Sequence, residues 1–201
     1  MSYKSKPLPL TFACAATERK LFPSDTGKEI ALCGRSNSGK STLINALANQ
    51  KKLAKTSNTP GRTQSINFFH LTNDEEKKII DLPGFGYAKA SKQDQNAWAK
   101  LILSYLEKRA ALTDLILIMD MRHPFQNKDL EFLSLCESFN LPIHLVLTKA
   151  DKLNNKETQN TLKVVSEKMA DYPAIVDSLV FSATKKIGLE TLLNKIKLLL
   201  E

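Results

Sequence analysis

The segment Gly34-Arg35-Ser36-Asn37-Ser38-Gly39-Lys40-Ser41 has the spacing GxxxxGK followed by Ser or Thr, which is that of a phosphate-binding loop. The glycines allow a tight turn whose backbone N–H groups surround phosphate oxygens, and the helix that follows adds positive potential at its first turn. Lys40 is expected to reach the β- and γ-phosphates of a nucleoside triphosphate. The Ser41 hydroxyl, with Thr42 beside it, is expected at a Mg2+ ion.

Four further segments are in the right order to complete such a site. Asp81-Leu82-Pro83-Gly84 offers a carboxylate that can hold Mg2+ directly or through water, and a glycine whose N–H can approach the γ-phosphate. Thr148-Lys149-Ala150-Asp151 selects the base. A carboxylate accepts two hydrogen bonds at once, and guanine presents a matching pair of donors, N1–H and the exocyclic amine. Adenine presents an acceptor at N1 and leaves buried groups unpaired. Asp151 therefore argues for GTP over ATP, with the Lys149 stem lying along the base. In Phe181-Ser182-Ala183, the Ala183 N–H is placed to donate to guanine O6. Between the first two segments, Thr59-Pro60-Gly61-Arg62-Thr63-Gln64-Ser65 supplies a hydroxyl that can complete the metal shell when γ-phosphate is present, the order–disorder device of nucleotide switches. Thr63 is preferred for that role, and Thr59 remains the alternative. Five of the seven glycines, Gly34, Gly39, Gly61, Gly84 and Gly86, fall in these loops.

The loops need a scaffold, and the hydropathy pattern supplies one. Strands are expected at Glu29–Cys33, Ile66–Leu71, Lys78–Leu82, Leu115–Asp120, Ile143–Leu147 and Leu179–Phe181. Helices are expected at Ser41–Asn49, Ala97–Arg109, Lys128–Phe139, Lys156–Met169 and after Gly188. Such alternation means an α/β domain with a mostly parallel sheet and helices on both faces, which binds ligands at the carboxyl ends of its strands. Residues 1–25 show the least pattern and form an N-terminal segment packed on or preceding the domain; residues 26–201 read as a single domain. At 201 residues and 42% hydrophobic the chain can bury a full core without staples, and its 25% charged residues exclude disorder for the bulk. No apolar run reaches a membrane span and no signal peptide is evident, so a soluble, cytoplasmic protein is expected. Cys14, Cys33 and Cys136 lack metal spacing and are expected to be reduced, small hydrophobes. The 29 Lys and Arg against 21 Asp and Glu, a net charge of +8, favour a polyanionic partner, either nucleic acid or an anionic membrane surface.

Taken together, GRSNSGKS, TPGRTQ, DLPGFGYA, YLEKR (Tyr105 to Arg109), MDMRHP (Met119 to Pro124), LTKADKL and FSATKK resemble the EngB (YihA/YsxC) family of bacterial GTPases, of the TrmE–Era–EngA–EngB–septin-like class. The resemblance runs from about Phe12 to the C-terminus. RHP and the GFGY after DLP are its most specific marks. It implies the three-layer P-loop GTPase fold, with residues 26–201 as the G domain. By the same resemblance, Gly34 to Ser41 bind phosphates and Ser41 ligates Mg2+. Gly61 to Ser65 form a first switch with Thr63 as second Mg2+ ligand, and Asp81 to Gly84 a second. Thr148 to Asp151 and Phe181 to Ala183 hold guanine. The family is implicated in large ribosomal subunit assembly and tied to cell division and septum formation.

Many GTPases place a Gln two residues after the DxxG glycine to orient water. Here the positions after Gly84 are Phe85 and Gly86, so slow intrinsic hydrolysis or an outside catalytic group is expected. The resemblance suggests Asn37 as a ligand of a K+ ion that supplies the missing charge; the alternative is that Asn37 hydrogen-bonds the loop. His123 is expected in a structural or partner-contact role. Lys51, Lys52, Lys55 and Arg62, with Arg19, Lys20, Lys185 and Lys186, suggest a basic rim suited to ribosomal RNA. No DNA partner is expected, and a monomer is the default. Two competing activities remain: a GTP-dependent septation scaffold with negligible turnover and no ribosome contact, and an ATP-dependent small-molecule kinase, against which Asp151 and Ala183 argue.

Overall fold

The computed structural model describes residues 5–54, 65–86 and 92–201, apart from the side chain of Asp94. Seven strands, β1 (Leu10–Ala16), β2 (Lys28–Gly34), β3 (Ile66–Leu71), β4 (Asp74–Asp81), β5 (Leu112–Asp120), β6 (Ile143–Thr148) and β7 (Ile175–Val180), form one sheet in the order β1-β3-β4-β2-β5-β6-β7. The pairs β4·β2, β2·β5, β5·β6 and β6·β7 are parallel, while β3 is antiparallel to both β4 and β1.

The central strands are continuous apolar runs because both of their faces are covered. Along β5, Leu115, Leu117 and Met119 face one half of the core and Ile116 and Ile118 the other, the period-2 alternation of a strand. Helices α1 (Lys40–Ala48) and α5 (Leu189–Leu199) cover one face through Leu43, Ile44, Leu47, Leu192 and Ile196. Helices α2 (Lys92–Leu106), α3 (Asn127–Glu137) and α4 (Asn155–Met169) cover the other through Ile102, Tyr105, Phe132, Leu133 and Val165. This is the expected three-layer α/β architecture.

Several elements depart from the hydropathy pattern. The helix expected at Ala97–Arg109 runs instead over Lys92–Leu106, and β5 starts at Leu112 rather than Leu115. β4 starts at Asp74 because its charged first half, Asp74 to Lys77, is the outer arm of a hairpin with β3. β7 starts at Ile175, its pattern interrupted by Asp177 and Ser178. The N-terminal segment contributes β1, in which only Leu10 and Ala16 are buried, so no alternation announces it. A bulge between Phe12 and Cys14 interrupts the β1·β3 register, a device that blunts a sheet edge.

One buried ion pair fixes α2 to the sheet. Arg109 donates Nε to Glu29 Oε2 at 2.8 Å and Nη2 to Glu29 Oε1 at 2.6 Å, and Tyr105 donates to Glu29 Oε2 at 2.8 Å. Further guanidinium donors reach Pro23 O at 2.8 Å and Ser24 O at 2.9 Å. With four of the five guanidinium N–H donors bonded, this pair avoids the cost of an unpaired buried charge. Cys33 and Cys136 are buried free thiols, and burial pushes Cys136 up to about 12, so neither is primed as a nucleophile.

Candidate nucleotide-binding site

The parallel strands end together. Gly34 pairs with Ile118, Leu32 with Asp81, Asp120 with Thr148 and Leu147 with Val180, so the loops after β2, β4, β5, β6 and β7 share one edge of the sheet. Gly34 to Gly39 form the turn from β2 into α1. A Cβ at Gly34 would lie 2.5 Å from Ile118 O, which no side chain tolerates. Gly39, the N-cap of α1, has φ +103°, left-handed backbone that favours glycine. No side chain caps α1 and its first turn holds no acid, which leaves N–H donors and the positive helix end open to an anion.

Lys40 is ion-paired with Asp81, both largely buried. The other Asp81 oxygen accepts from Asn67 Nδ2 at 3.2 Å, and Ser65 Oγ donates to Asn67 Oδ1 at 3.2 Å. A chain Ser65–Asn67–Asp81–Lys40 thus runs from β3 to the phosphate loop. Asn67 lies outside the sequence motifs, yet it is register partner of Asp81 across β3·β4. Ser41 follows Lys40 in the first turn of α1, half-buried, and Thr42 is exposed. Gly61, Arg62, Thr63 and Gln64, with Thr59, lie outside the described residues.

The loop after β4 lies against the phosphate loop. Phe85 N donates to Gly34 O at 3.3 Å, Ser36 N to Phe85 O at 2.9 Å, and Leu82 N to Leu32 O at 3.0 Å. Gly84 passes so close that a Cβ there would lie 3.2 Å from Ser36 N and Cα. The Phe85 ring is buried, stacked on Phe132 with centroids 4.7 Å apart, and meets Trp98 edge-on. Trp98 Nε1 donates to Pro83 O at 3.0 Å. Phe85 is thus a core side chain, and neither it nor Gly86 offers a group that could orient water.

The end of β6 is tied to the phosphate loop by two side chains. Thr148 Oγ1 lies 2.5 Å from Ser38 O and 3.1 Å from Met119 O. Lys149, at φ +60°, donates Nζ to Asn37 O at 2.7 Å and is ion-paired with Asp120 Oδ2 at 3.0 Å. Ser38 contributes its carbonyl, while its hydroxyl is buried with no hydrogen-bond partner among the described residues. Asn37 is exposed at φ +66°.

Asp151 Oδ1 accepts from Ser182 Oγ at 2.6 Å, and that hydroxyl accepts from Lys185 N at 3.1 Å. The Ser182 hydroxyl holds the Asp151 carboxyl below its ordinary value, so it stays an acceptor for a base with paired donors. Ala150 N donates to Phe181 O at 3.2 Å, which fixes the loops after β6 and β7 side by side. Ala183 is half-buried next to them.

Contacts among Arg35, Asp120, Arg122, His123 and Asp129 brace this edge. Arg122 donates Nε and Nη2 to Asp120 at 2.9 and 2.6 Å. Burial alone would raise the Asp120 carboxyl, but the Arg122 and Lys149 hydrogen bonds hold it well below the usual carboxylate range. Arg35 donates Nε to Asp129 Oδ1 at 3.1 Å and Nη2 to His123 O at 3.0 Å. His123 thus meets the phosphate loop through its carbonyl. Burial pushes the Asp129 carboxyl up more than Arg35 pulls it down. MDMRHP is the sequence signal for this bracing, visible only as a resemblance.

The donor set fits Mg2+. A hydroxyl, Ser41, and a buried carboxylate that already faces an ammonium, Asp81, are hard oxygen donors. The described residues hold no cluster of three His, Cys, Asp or Glu side chains able to form a metal cage. No helix among them is long and apolar enough to cross a membrane.

The family model described as a 50S ribosome-binding GTPase matches residues 29–149. A probable GTP-binding protein EngB from Haemophilus ducreyi is 43% identical over 185 residues, 92% of this chain and 87% of that protein. One from Haemophilus influenzae is 44% identical, over 92% and 89%. The crystal structure of a probable GTP-binding protein EngB superposes with a TM-score of 0.66 at 26% identity, covering 86% of this chain and 98% of that one.

Proposed function

Since the chain belongs to the EngB GTP-binding proteins within the 50S ribosome-binding GTPase family, we propose that it is a GTP-hydrolysing switch in assembly of the large ribosomal subunit, and that it is needed for normal cell division and septation. Its place is the cytoplasm, as a monomer. The observation that carries the nucleotide half is the Asp151 carboxylate, held ionised by Ser182 on the same sheet edge as the phosphate loop. The family's description carries the ribosome half.

Guanine donates N1–H and its amine to Asp151, and the Ala183 N–H donates to O6. The Lys149 stem lies along the base while its ammonium holds Asn37 O, so base and phosphates are set by one brace. The residues from Gly34 to Thr42 surround the phosphates. Lys40 exchanges Asp81 for the β- and γ-phosphate oxygens, which frees the Asp81 carboxylate. Ser41 and Thr63 would hold Mg2+ directly and Asp81 through water; the ion, when bound, supplies positive charge to the β- and γ-phosphate oxygens. Gly61 to Ser65 and Asp81 to Gly84 respond to the γ-phosphate. With Phe85 packed in the core, intrinsic hydrolysis is slow. Asn37 would hold a K+ ion in place of the absent Gln, since its side chain is exposed while its carbonyl is occupied by Lys149.

Two experiments test this. GTP should displace a fluorescent guanine nucleotide and ATP should not; equal displacement would favour the kinase. Single-turnover hydrolysis should be faster in KCl than in NaCl and faster with large subunits. Equal rates in the two salts, with and without subunits, would remove the K+ role. Turnover that subunits leave unchanged would favour the septation scaffold.

A further inference from the structure

A groove of about 450 Å3 runs between α2 and the 3-10 turn Arg19–Leu21, away from the nucleotide loops. Asn96, Lys100, Ser104 and Lys108 line it at helical i, i+4 spacing, and Arg19 closes it from the other side. From Asn96 to Ser104, within α2, the stripe is about 12 Å long at 1.5 Å per residue, and Lys108 continues it in the turn after the helix. Arg19, Lys100 and Lys108 are exposed, and among the described residues none of the three is ion-paired. Glu107 is the one acid in the lining. Unpaired cations held along a concavity attract a linear polyanion.

The groove is also joined to the switch machinery. On the inner side of α2, Trp98 bonds the carbonyl of Pro83 within the second switch and packs against Phe85. The far end of the same helix is anchored at Glu29 by Tyr105, and the turn after it by the buried Arg109–Glu29 pair. Pro83 and Phe85 thus meet α2 near the Asn96 end of the groove, and the Arg109–Glu29 pair lies beyond its Lys108 end.

We propose that this groove is an RNA docking surface, in which Arg19, Lys100 and Lys108 take phosphodiester oxygens and Asn96, Ser104 and Glu107 engage 2′-hydroxyls. For its biological partner the assignment rests on the ribosome-assembly function proposed above. The chemistry favours RNA over two other polyanions. A 2′-hydroxyl both donates and accepts, which suits the amide, hydroxyl and carboxylate that stand beside the apolar floor of Ala99 and Leu103; DNA lacks that group. An anionic membrane is flat and would reach the rim of a concave groove but not its lining.

The test compares the full-length protein with the triple variant Arg19→Ala/Lys100→Ala/Lys108→Ala. Lys156→Ala/Lys163→Ala/Lys168→Ala on α4, which removes the same charge, is the control. Binding to a fluorescent RNA hairpin, to the matching DNA hairpin, to phosphatidylserine vesicles and to purified large subunits is measured across a salt series, with GDP affinity as the check on folding. The groove variant is expected to bind the RNA hairpin about tenfold more weakly or worse. Its salt slope should flatten by about 0.7–0.9 for each phosphate that is no longer neutralised, so about 2–3 in all. Its GDP affinity should be unchanged, and the control should stay near wild type. Wild-type RNA affinity in the groove variant, or an equal loss in both variants, would overturn the groove while leaving the ribosome function standing if the wild type pellets with subunits. Groove-dependent hairpin binding by a wild type that never pellets with subunits would uphold the groove and overturn the ribosome function. Binding to vesicles or DNA as tight as to RNA, or no binding to RNA at all, would overturn the groove.

Discussion

Ser182, in the loop after β7, donates its hydroxyl to the Asp151 carboxylate in the loop after β6 at 2.6 Å. Because β6 and β7 are parallel neighbours, two short loops far apart in sequence meet as one unit; in the proposed function Ser182 positions the carboxylate and Asp151 reads the base.

Ser182→Ala should therefore weaken GTP and GDP binding by about tenfold to a hundredfold with no gain for ATP. Asp151→Asn should weaken GTP by about 10²–10⁴ and improve binding of xanthosine triphosphate, whose 2-oxo group accepts from the new amide. Competition binding measures both; retained GTP preference in Asp151→Asn would show that base selection lies elsewhere.

A second network predicts a pH dependence. His144 in β6 places Nε2 3.0 Å from Asp114 and Nδ1 3.0 Å from Asp177, and Lys195 of α5 donates to Asp177 at 2.5 Å. Burial raises the Asp177 carboxyl, but Lys195 and His144 together hold it below its ordinary value. A carboxyl lowered in the fold contributes stability above its unfolded value, about 3.9, and loses it as pH falls through the folded value. Lys195→Met should lower the thermal midpoint at pH 7, and the deficit should shrink below about pH 4. A deficit constant from pH 7 to pH 3 would contradict this.

Legibility in the sequence follows burial. Leu115–Asp120 stands out because both faces of β5 are covered, and the glycine-rich turn because its backbone has few alternatives. β1 does not, since an edge strand with Leu10 and Ala16 buried and small or exposed residues between them carries no periodic signal. The motifs place Lys40, Asp81, Lys149 and Asp151 on one edge, yet Asn67 enters it through strand register with Asp81, and the partners of Arg35 and Asp120, Asp129 and Lys149, are set by contacts between loops, which a linear pattern does not encode.

Lys149 bridges Asn37 O and Asp120, so Asp120 is expected to position it. Asp120→Ala should speed GDP release about three- to tenfold, as read by stopped-flow fluorescence. Asp120→Asn, which can still accept from Lys149, should recover part of that. Equal release rates in the two variants would place the effect in Arg122 or the fold instead.

Arg109→Met should destabilise the domain by about 3–5 kcal/mol, because Glu29 is left fully buried without a counter-charge. Urea unfolding measures this. GDP affinity should remain near wild type where the variant is folded, since the pair sits at the opposite end of α2 from Trp98 and Pro83.

The most direct measurement is co-sedimentation of the purified protein with large ribosomal subunits in GDP, GTP and a non-hydrolysable GTP analogue at two salt concentrations. A GTP-gated switch on an RNA surface predicts pelleting with the triphosphates, little with GDP, and weakening at the higher salt. No pelleting in any nucleotide state, or equal pelleting in all three, would contradict it.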